Sequence, residues 1–357
     1  MRAIAPLALV LTFAAACGTA AKAAAPVSLR PPTPTVAIAQ ADPTLAPVAV
    51  RTEAPPVLPA GTFTATIVHP PGARIRSGPG LDQPVIDIDP VGRTETFDGW
   101  FQRAEDQPLP DEITGKIEAW SRDWFHLADG RGWVHSASVK GDHPAGMPQR
   151  SRTPTGGGTS TAGLVEIVAE QQQHPVTCEL ASLRMALGSR GVATDELSLL
   201  ALTGDDPRPA EAGAAGDIQR WGDPNRTFVG DPDGHISSHT GYGVYAGPIA
   251  AAARRSGASV VAAGSGITPR ALYADVIAGH PAVAWVTSDY SRGSVRTWTA
   301  WDGATVPYSL NEHAVLLIGA TPNRVLVNDP MKGQLWLDRA QFETAYATFD
   351  DMAVVIG

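Results

Sequence analysis

The chain has 357 residues, 43% of them hydrophobic, which is enough for two domains with ordinary cores and connecting linkers. A net charge of −9 argues against general affinity for nucleic acid or an anionic membrane. Beyond the first segment no apolar run is long enough to cross a bilayer, so membrane attachment is expected only through a lipid anchor.

Residues 1–22 read as an export signal: Arg2 supplies a thin positive region and Ile4 to Ala16 an apolar one. Ala14-Ala15-Ala16-Cys17-Gly18 resembles a lipobox, where a bacterial lipoprotein is cleaved and its cysteine acylated, with alanine in place of the usual first leucine. Lipidation at Cys17 is the favoured reading, and ordinary cleavage within Ala20 to Ala25 the alternative. Either removes Cys17 as a free thiol. The expected location is the extracellular face of the cell envelope, lipid-anchored or otherwise secreted. Residues 23–60, dominated by Ala, Pro, Thr and Val, predict an extended tether.

Residues 61–142 alternate short apolar pieces, such as Phe63 to Val68 and Trp124 to Leu127, with Gly, Pro and Asp turns, a pattern that predicts an all-β unit. Ala73 to Ile86 and Trp124 to Val139 resemble bacterial SH3-like domains, which implies a small barrel and a possible peptidoglycan or peptide ligand. Gln102 to Arg122 departs from that resemblance as a long, partly acidic insertion. A spacer role, with Trp100, Trp124 and Trp133 in the core, is the competing reading. A second linker, 143–162, is rich in Pro, Gly, Ser and Thr and predicts independent motion of the units it joins.

The last unit, 163–357, keeps a single cysteine, Cys178, with nothing to pair with. Leu180, Leu183 and Leu187 recur at helical spacing and Pro175 blocks backward extension, which places Cys178 in the first helical turn. There the unpaired amides and the helix dipole are expected to lower the thiol pKa. Gln172, on the incoming loop, could donate to an oxyanion near the sulfur, together with the backbone amide of Cys178. The plain alternative is a small buried hydrophobe.

A nucleophilic cysteine needs a base, and the base an orienting group. In Glu312 to Pro330 two β-rich runs, Ala314 to Ile318 and Val325 to Val327, flank the turn formers Gly319 to Arg324. A hairpin centred on Thr321 puts His313 opposite Asp329, where the carboxylate could fix the tautomer and favour the imidazolium. Asn328 points to the other face and is the second choice. Taken singly, His313 could be a satisfied strand-end histidine and Asp329 a turn residue before Pro330.

Residues 172–357 resemble the bacteriocin-processing, double-glycine superfamily of papain-like cysteine peptidases and its stand-alone exported relatives. The matching pieces are QQHPVTCELASLRMAL, WGDPNRTFVGDPDG, GYGVYAGPI, GHPAVAWV and EHAVLLIGATPNRVLVNDP. The resemblance implies a papain-like α+β fold, Cys178 as nucleophile, His313 as base, Asp329 as orienting acid, Gln172 at the oxyanion and a peptide or protein substrate, with no cofactor. Transporter-linked members typically have glycine after the nucleophile, and here Glu179 follows. A degenerate, non-catalytic envelope-binding protein and a thioester-forming acyl transferase or transpeptidase are the rival functions. Tyr242, Tyr245, Trp298 and Trp301 are expected to line the substrate site. Gly230 to His235 clusters carboxylates and a histidine, but its Pro and Gly mark turn chemistry, and no metal is expected.

Overall fold

The computed structural model describes residues 61–110, 116–141, 145–150, 159–214 and 216–357. The expected export signal, Cys17 and the first tether lie outside the described residues.

The first unit contains β1 (Phe63–Ile67), β2 (Gly72–Arg76), β3 (Val85–Pro90), β4 (Thr94–Pro110), β5 (Ile117–Leu127), β6 (Trp133–His135) and β7 (Val139–Lys140). They form one antiparallel path in the order β3-β2-β6-β5-β4-β1-β7. Phe97, Phe125, Ile67 and Val134 close its core. Trp124 and Trp133 are buried, whereas Trp100 is half-buried and donates Nε1 to Met147 O at 3.2 Å. The insertion from Gln102 extends the β4–β5 pair into a long hairpin, with a register shift between Gln102 and Gln107.

The second unit opens with β8 (Gly163–Leu164), α1 (Cys178–Gly188) and α2 (Glu196–Thr203). Short strands β9 (Asp205–Asp206), β10 (Glu211–Ala212), β11 (Ile218–Trp221), β12 (Phe228–Gly230) and β13 (Gly241–Gly243) precede α3 (Ala246–Arg255), β14 (Val260–Gly264) and α4 (Pro269–Ile277). The chain then runs through β15 (Ala282–Thr287), β16 (Arg296–Ala300), β17 (Thr305–Tyr308), β18 (Glu312–Ala320), β19 (Arg324–Asp329), β20 (Gly333–Asp338), α5 (Arg339–Tyr346) and β21 (Ala353–Ile356).

The main sheet has the order β14-β21-β15-β18-β19-β20, with β8 added to β18. Its central strand β18 is buried at every position, as its nearly continuous apolar run requires of a strand covered on both faces. Ala314, Leu316 and Ile318 pack with Leu180, Leu183 and Leu187 of α1. Val315 and Leu317, on the opposite face, pack with Leu272 and Val276 of α4 and Phe342 of α5. Helix α1 therefore presents its first residue to the start of β18.

The β18–β19 hairpin forms with a shifted register. Leu316 pairs with Asn328 and Leu317 with Val327, and an irregularity follows at Gly319, so Asp329 is carried toward Val315 and not directly opposite His313. A two-residue offset preserves the face, and the pair meets diagonally.

The units also touch. Arg324 donates Nη2 to Ile88 O at 2.8 Å, Arg74 meets Glu166 at 3.2 Å, and the Thr161 amide donates to Val85 O at 3.1 Å. These bonds run against the expected independent motion: the end of the second linker adds to the first unit instead of hanging free.

Candidate functional site

Helix α1 starts at Cys178 because Thr177 has non-helical dihedrals, φ −113° and ψ 27°, two residues after Pro175. The Thr177 hydroxyl donates to Glu196 at 2.5 Å, and Glu196 also accepts the Gln173 amide at 2.9 Å. Glu196 thus fixes the loop entering the helix.

The Cys178 side chain is buried, with 5% of its surface exposed. Its sulfur accepts the Ala314 amide at 3.3 Å and lies 3.5 Å from Glu179 Oε2, to which the thiol donates. Neither of these bonds involves His313. Instead His313 Nε2 meets Asp329 Oδ1 at 2.9 Å, which leaves Nδ1 as the ring nitrogen for other chemistry.

Asp329 is the most heavily bonded carboxylate in this region. Oδ1 also accepts the amides of Met331 at 2.8 Å and Lys332 at 3.1 Å, and Oδ2 accepts the Tyr290 hydroxyl at 2.6 Å. Burial opposes its ionisation, but the bonds and charge of His313 and the Tyr290 hydroxyl outweigh burial and hold it at about 2.

Around the thiol the balance is reversed. Burial, then the charges of Glu179 and Glu312, push the Cys178 thiol well above its ordinary range. This corrects the expectation of a depressed thiol: the helix start is present, but the sulfur is dry and faces carboxylates. Burial likewise raises Glu179 to about 7 despite the Val244 amide, which donates to Oε1 at 2.6 Å. Glu312 is driven well above the usual carboxylate range by burial and by Glu179, and its Oε1 has no hydrogen-bond partner among the described residues. Atoms of Cys178, Glu179 and Glu312 converge within 4.8 Å.

A family model described as the Peptidase_C39-like family matches residues 165–354, more than half of the chain. The chain belongs to the Peptidase_C39-like family. It is 30% identical over 182 residues to the uncharacterized protein YvpB of Bacillus subtilis, covering 50% of this chain and 68% of that protein. Among solved structures it is similar to a Bacillus anthracis crystal structure described as a C39-like peptidase (28% identity, 54% of this chain, 98% of the other, TM-score 0.45). A double-glycine motif protease from an AMS/PCAT transporter, in complex with a leader peptide, aligns at 15% identity over 54% of this chain and 92% of the other, with a TM-score of 0.30.

Within this C39-like unit the other expected site residues fall differently. Gln172 donates its side-chain amide to His174 O at 2.8 Å and Pro175 O at 2.9 Å, so both its hydrogens are committed to the loop and not to an oxyanion. Tyr242 and Trp298 are core residues, with ring centroids 5.0 Å apart, although Trp298 borders a cavity of about 470 Å³ with Arg220 and Thr305. Tyr245 is also buried, bonded to Tyr242 through their hydroxyls at 2.7 Å, although it borders a cavity of about 380 Å³ with Tyr308, Phe349 and Met352. Trp301 has the guanidinium groups of Arg208 and Arg220 over its ring, 5.0 and 4.9 Å from the centroid, and borders another cavity, of about 550 Å³, beside Asp205, Asp206 and Asp223. Asn328 serves the fold by donating to Ile167 O at 2.8 Å. Asp231 and Asp233 build the expected turn: the Asp233 amide donates to Asp231, and its carboxylate meets His174 at 2.8 Å.

Sequence reasoning missed Tyr290, Glu196 and Glu312 and saw Glu179 only as a departure from a pattern. Glu312 precedes His313, a visible signal. For Tyr290 the sequence carries none.

Proposed function

We propose that this protein is an exported cysteine peptidase that hydrolyses peptide bonds at the cell envelope through Cys178, His313 and Asp329. The observation that carries the reading is the bond from His313 Nε2 to Asp329 at 2.9 Å on a strand whose next amide, that of Ala314, reaches the Cys178 sulfur. The ionised Asp329 holds one tautomer of His313 and stabilises its imidazolium. The Cys178 thiolate attacks the peptide carbonyl, His313 protonates the leaving amine, and water then hydrolyses the thioester. The backbone amide at the start of α1 supports the oxyanion, a role left to it because Gln172 is engaged elsewhere. Residues 61–142 act as an SH3-like module that carries the peptidase domain, 163–357, to peptidoglycan or peptide, and Cys17 supplies the lipid anchor.

The test is direct. Wild type is expected to cleave members of a peptide and peptidoglycan panel, and Cys178→Ala to lose all of that activity. Equal cleavage by both proteins overturns the reading. A second reading, a non-catalytic envelope-binding protein, draws on the burial and raised pKa of the thiol. Under it, Cys178 would resist iodoacetamide throughout the neutral range.

A further inference from the structure

The geometry points to a cavity in the first unit that binds the free carboxylate end of a peptide, its last one or two residues resting on apolar walls. This inference rests on the carrier role proposed for residues 61–142 and is independent of Cys178, His313 and Asp329.

The cavity, of about 260 Å³, is made by the long β4–β5 hairpin. Pro108, Leu109 and Pro110 of that hairpin border it together with Trp124 of β5 and His135 of β6. Gln107 ties the hairpin down, because its Oε1 accepts both the Trp124 indole N–H at 3.0 Å and the Leu81 amide at 3.3 Å. With its N–H engaged there, Trp124 offers the cavity only an apolar ring. The space is thus formed before any ligand arrives, and its volume suits the end of a chain better than a whole segment.

Its polar members can all donate hydrogen bonds. Arg74, Arg76, His69, His135 and Ser138 border the cavity, and none of its described lining residues is an Asp or Glu, in a chain whose net charge is −9. Arg76 is held by Nη1 to Leu81 O at 3.1 Å and Gln83 O at 2.7 Å, and Arg74 by Glu166 at 3.2 Å, so both guanidinium groups are positioned in advance. The acid nearest His69 is Glu118, at 3.7 Å and half out in solvent.

His135 calls most directly for a ligand. It is 3% exposed, packs edge-on against Trp124 at 5.1 Å, and neither ring nitrogen has a hydrogen-bond partner among the described residues. The backbone of Gln107 and Ser121 passes close by without meeting either nitrogen at hydrogen-bonding geometry. A buried imidazole left in this state is unfavourable, and an acceptor brought in by a ligand relieves it. A small inorganic anion would meet the donors and leave Leu81, Leu109 and Trp124 uncovered. A neutral peptide segment would cover those walls and leave the arginines unanswered. A carboxylate on a small aliphatic residue meets both.

Titration calorimetry on the full chain carrying Cys178→Ala, which removes the thiol from the measurement, tests this. N-acetyl-Ala-Ala is expected to bind, and its C-terminal amide to bind about tenfold more weakly or worse, the scale of one hydrogen bond between charged groups. Leu109→Trp fills the apolar end and should weaken the acid by a similar factor. Equal affinities for acid and amide, no binding of the acid, inorganic phosphate binding as tightly as the acid, or an unchanged affinity in Leu109→Trp would each overturn the inference. The acid, amide and phosphate comparison decides it even if Leu109→Trp does not fold. The L,L and D,D forms of the acid separate the two sources of such an end: preference for L,L assigns it to a polypeptide, and for D,D to the stem peptide of peptidoglycan. Cosedimentation with intact peptidoglycan measures the carrier role by itself, so retention there without a preference for the acid fails this inference and leaves that role standing.

Discussion

Two faces of the same site hold buried carboxyl groups in opposite states. Asp329 is ionised far below the ordinary range, whereas Glu179 and Glu312 keep protons above it. Depth is part of the difference: the Asp329 side chain is closed to water, yet it lies less deep among protein atoms than the two glutamates. Donors widen it. Asp329 receives hydrogen bonds from His313, Tyr290 and the amides of Met331 and Lys332; Glu179 receives one amide and a weak thiol, and Glu312 oxygen Oε1 receives nothing. The comparison teaches that a dry pocket sets the cost of a carboxylate and the count of aimed hydrogens decides whether it is met.

The largest effect should come from erasing the charged side of that contrast. Asp329→Asn keeps the shape but presents an uncharged amide to His313, and kcat is expected to drop on the order of a thousandfold or more. An activity within tenfold of wild type would show that the tautomer is set by something else.

The protonated side should appear in stability. Because Glu179 titrates at about 7 in the fold and near 4.5 when unfolded, its contribution is fully present below pH 4.5 and is lost as pH rises through 7. Relative to wild type, Glu179→Gln should therefore gain stability between pH 5 and 8, by about 3 kcal/mol. Thermal melts at several pH values measure it, and parallel curves for the two proteins would show that Glu179 does not hold its proton.

The smallest change sharpens the ionised side. Tyr290→Phe removes one donor to Asp329, at a cost of about 1 kcal/mol, and lets its pKa climb toward the ordinary value of 3.8. The stability that Asp329 lends is present above pH 4 and fades as pH falls through 2. In Tyr290→Phe that loss should be smaller and end at a higher pH, so the stability gap to wild type should narrow as pH falls from 4 toward 2.

The sequence made the site's frame readable and left its charges hidden. The helix start could be placed because Pro175 acts locally, and the His313–Asp329 pair because alternating strands and turn formers fix which residues share a face. The two-residue register error came from the turn, which the Ala320–Val325 pair centres past Thr321, and the irregularity between Leu317 and Gly319 takes back only one residue of that shift. Tyr242, Tyr245 and Trp298 looked like subsite residues because glycines and polar residues surround them in sequence, yet their rings fill the core. Gln172 was placed correctly on its loop, and only the carbonyls of His174 and Pro175 reveal where its hydrogens go. Protonation was least legible, since the Val244 donor to Glu179 and the Tyr290 donor to Asp329 come from elements far away in the chain.

That distance has a consequence for how the protein is made. The Val244 bond to Glu179 spans 65 residues and the Ala314 bond to the sulfur spans 136. A chain that has not yet docked β18 lacks the Ala314 amide and the Glu312 charge beside the sulfur. The sulfur acquires its particular surroundings when β18 docks beside α1, so the reagent that labels Cys178 also times the closing of the sheet.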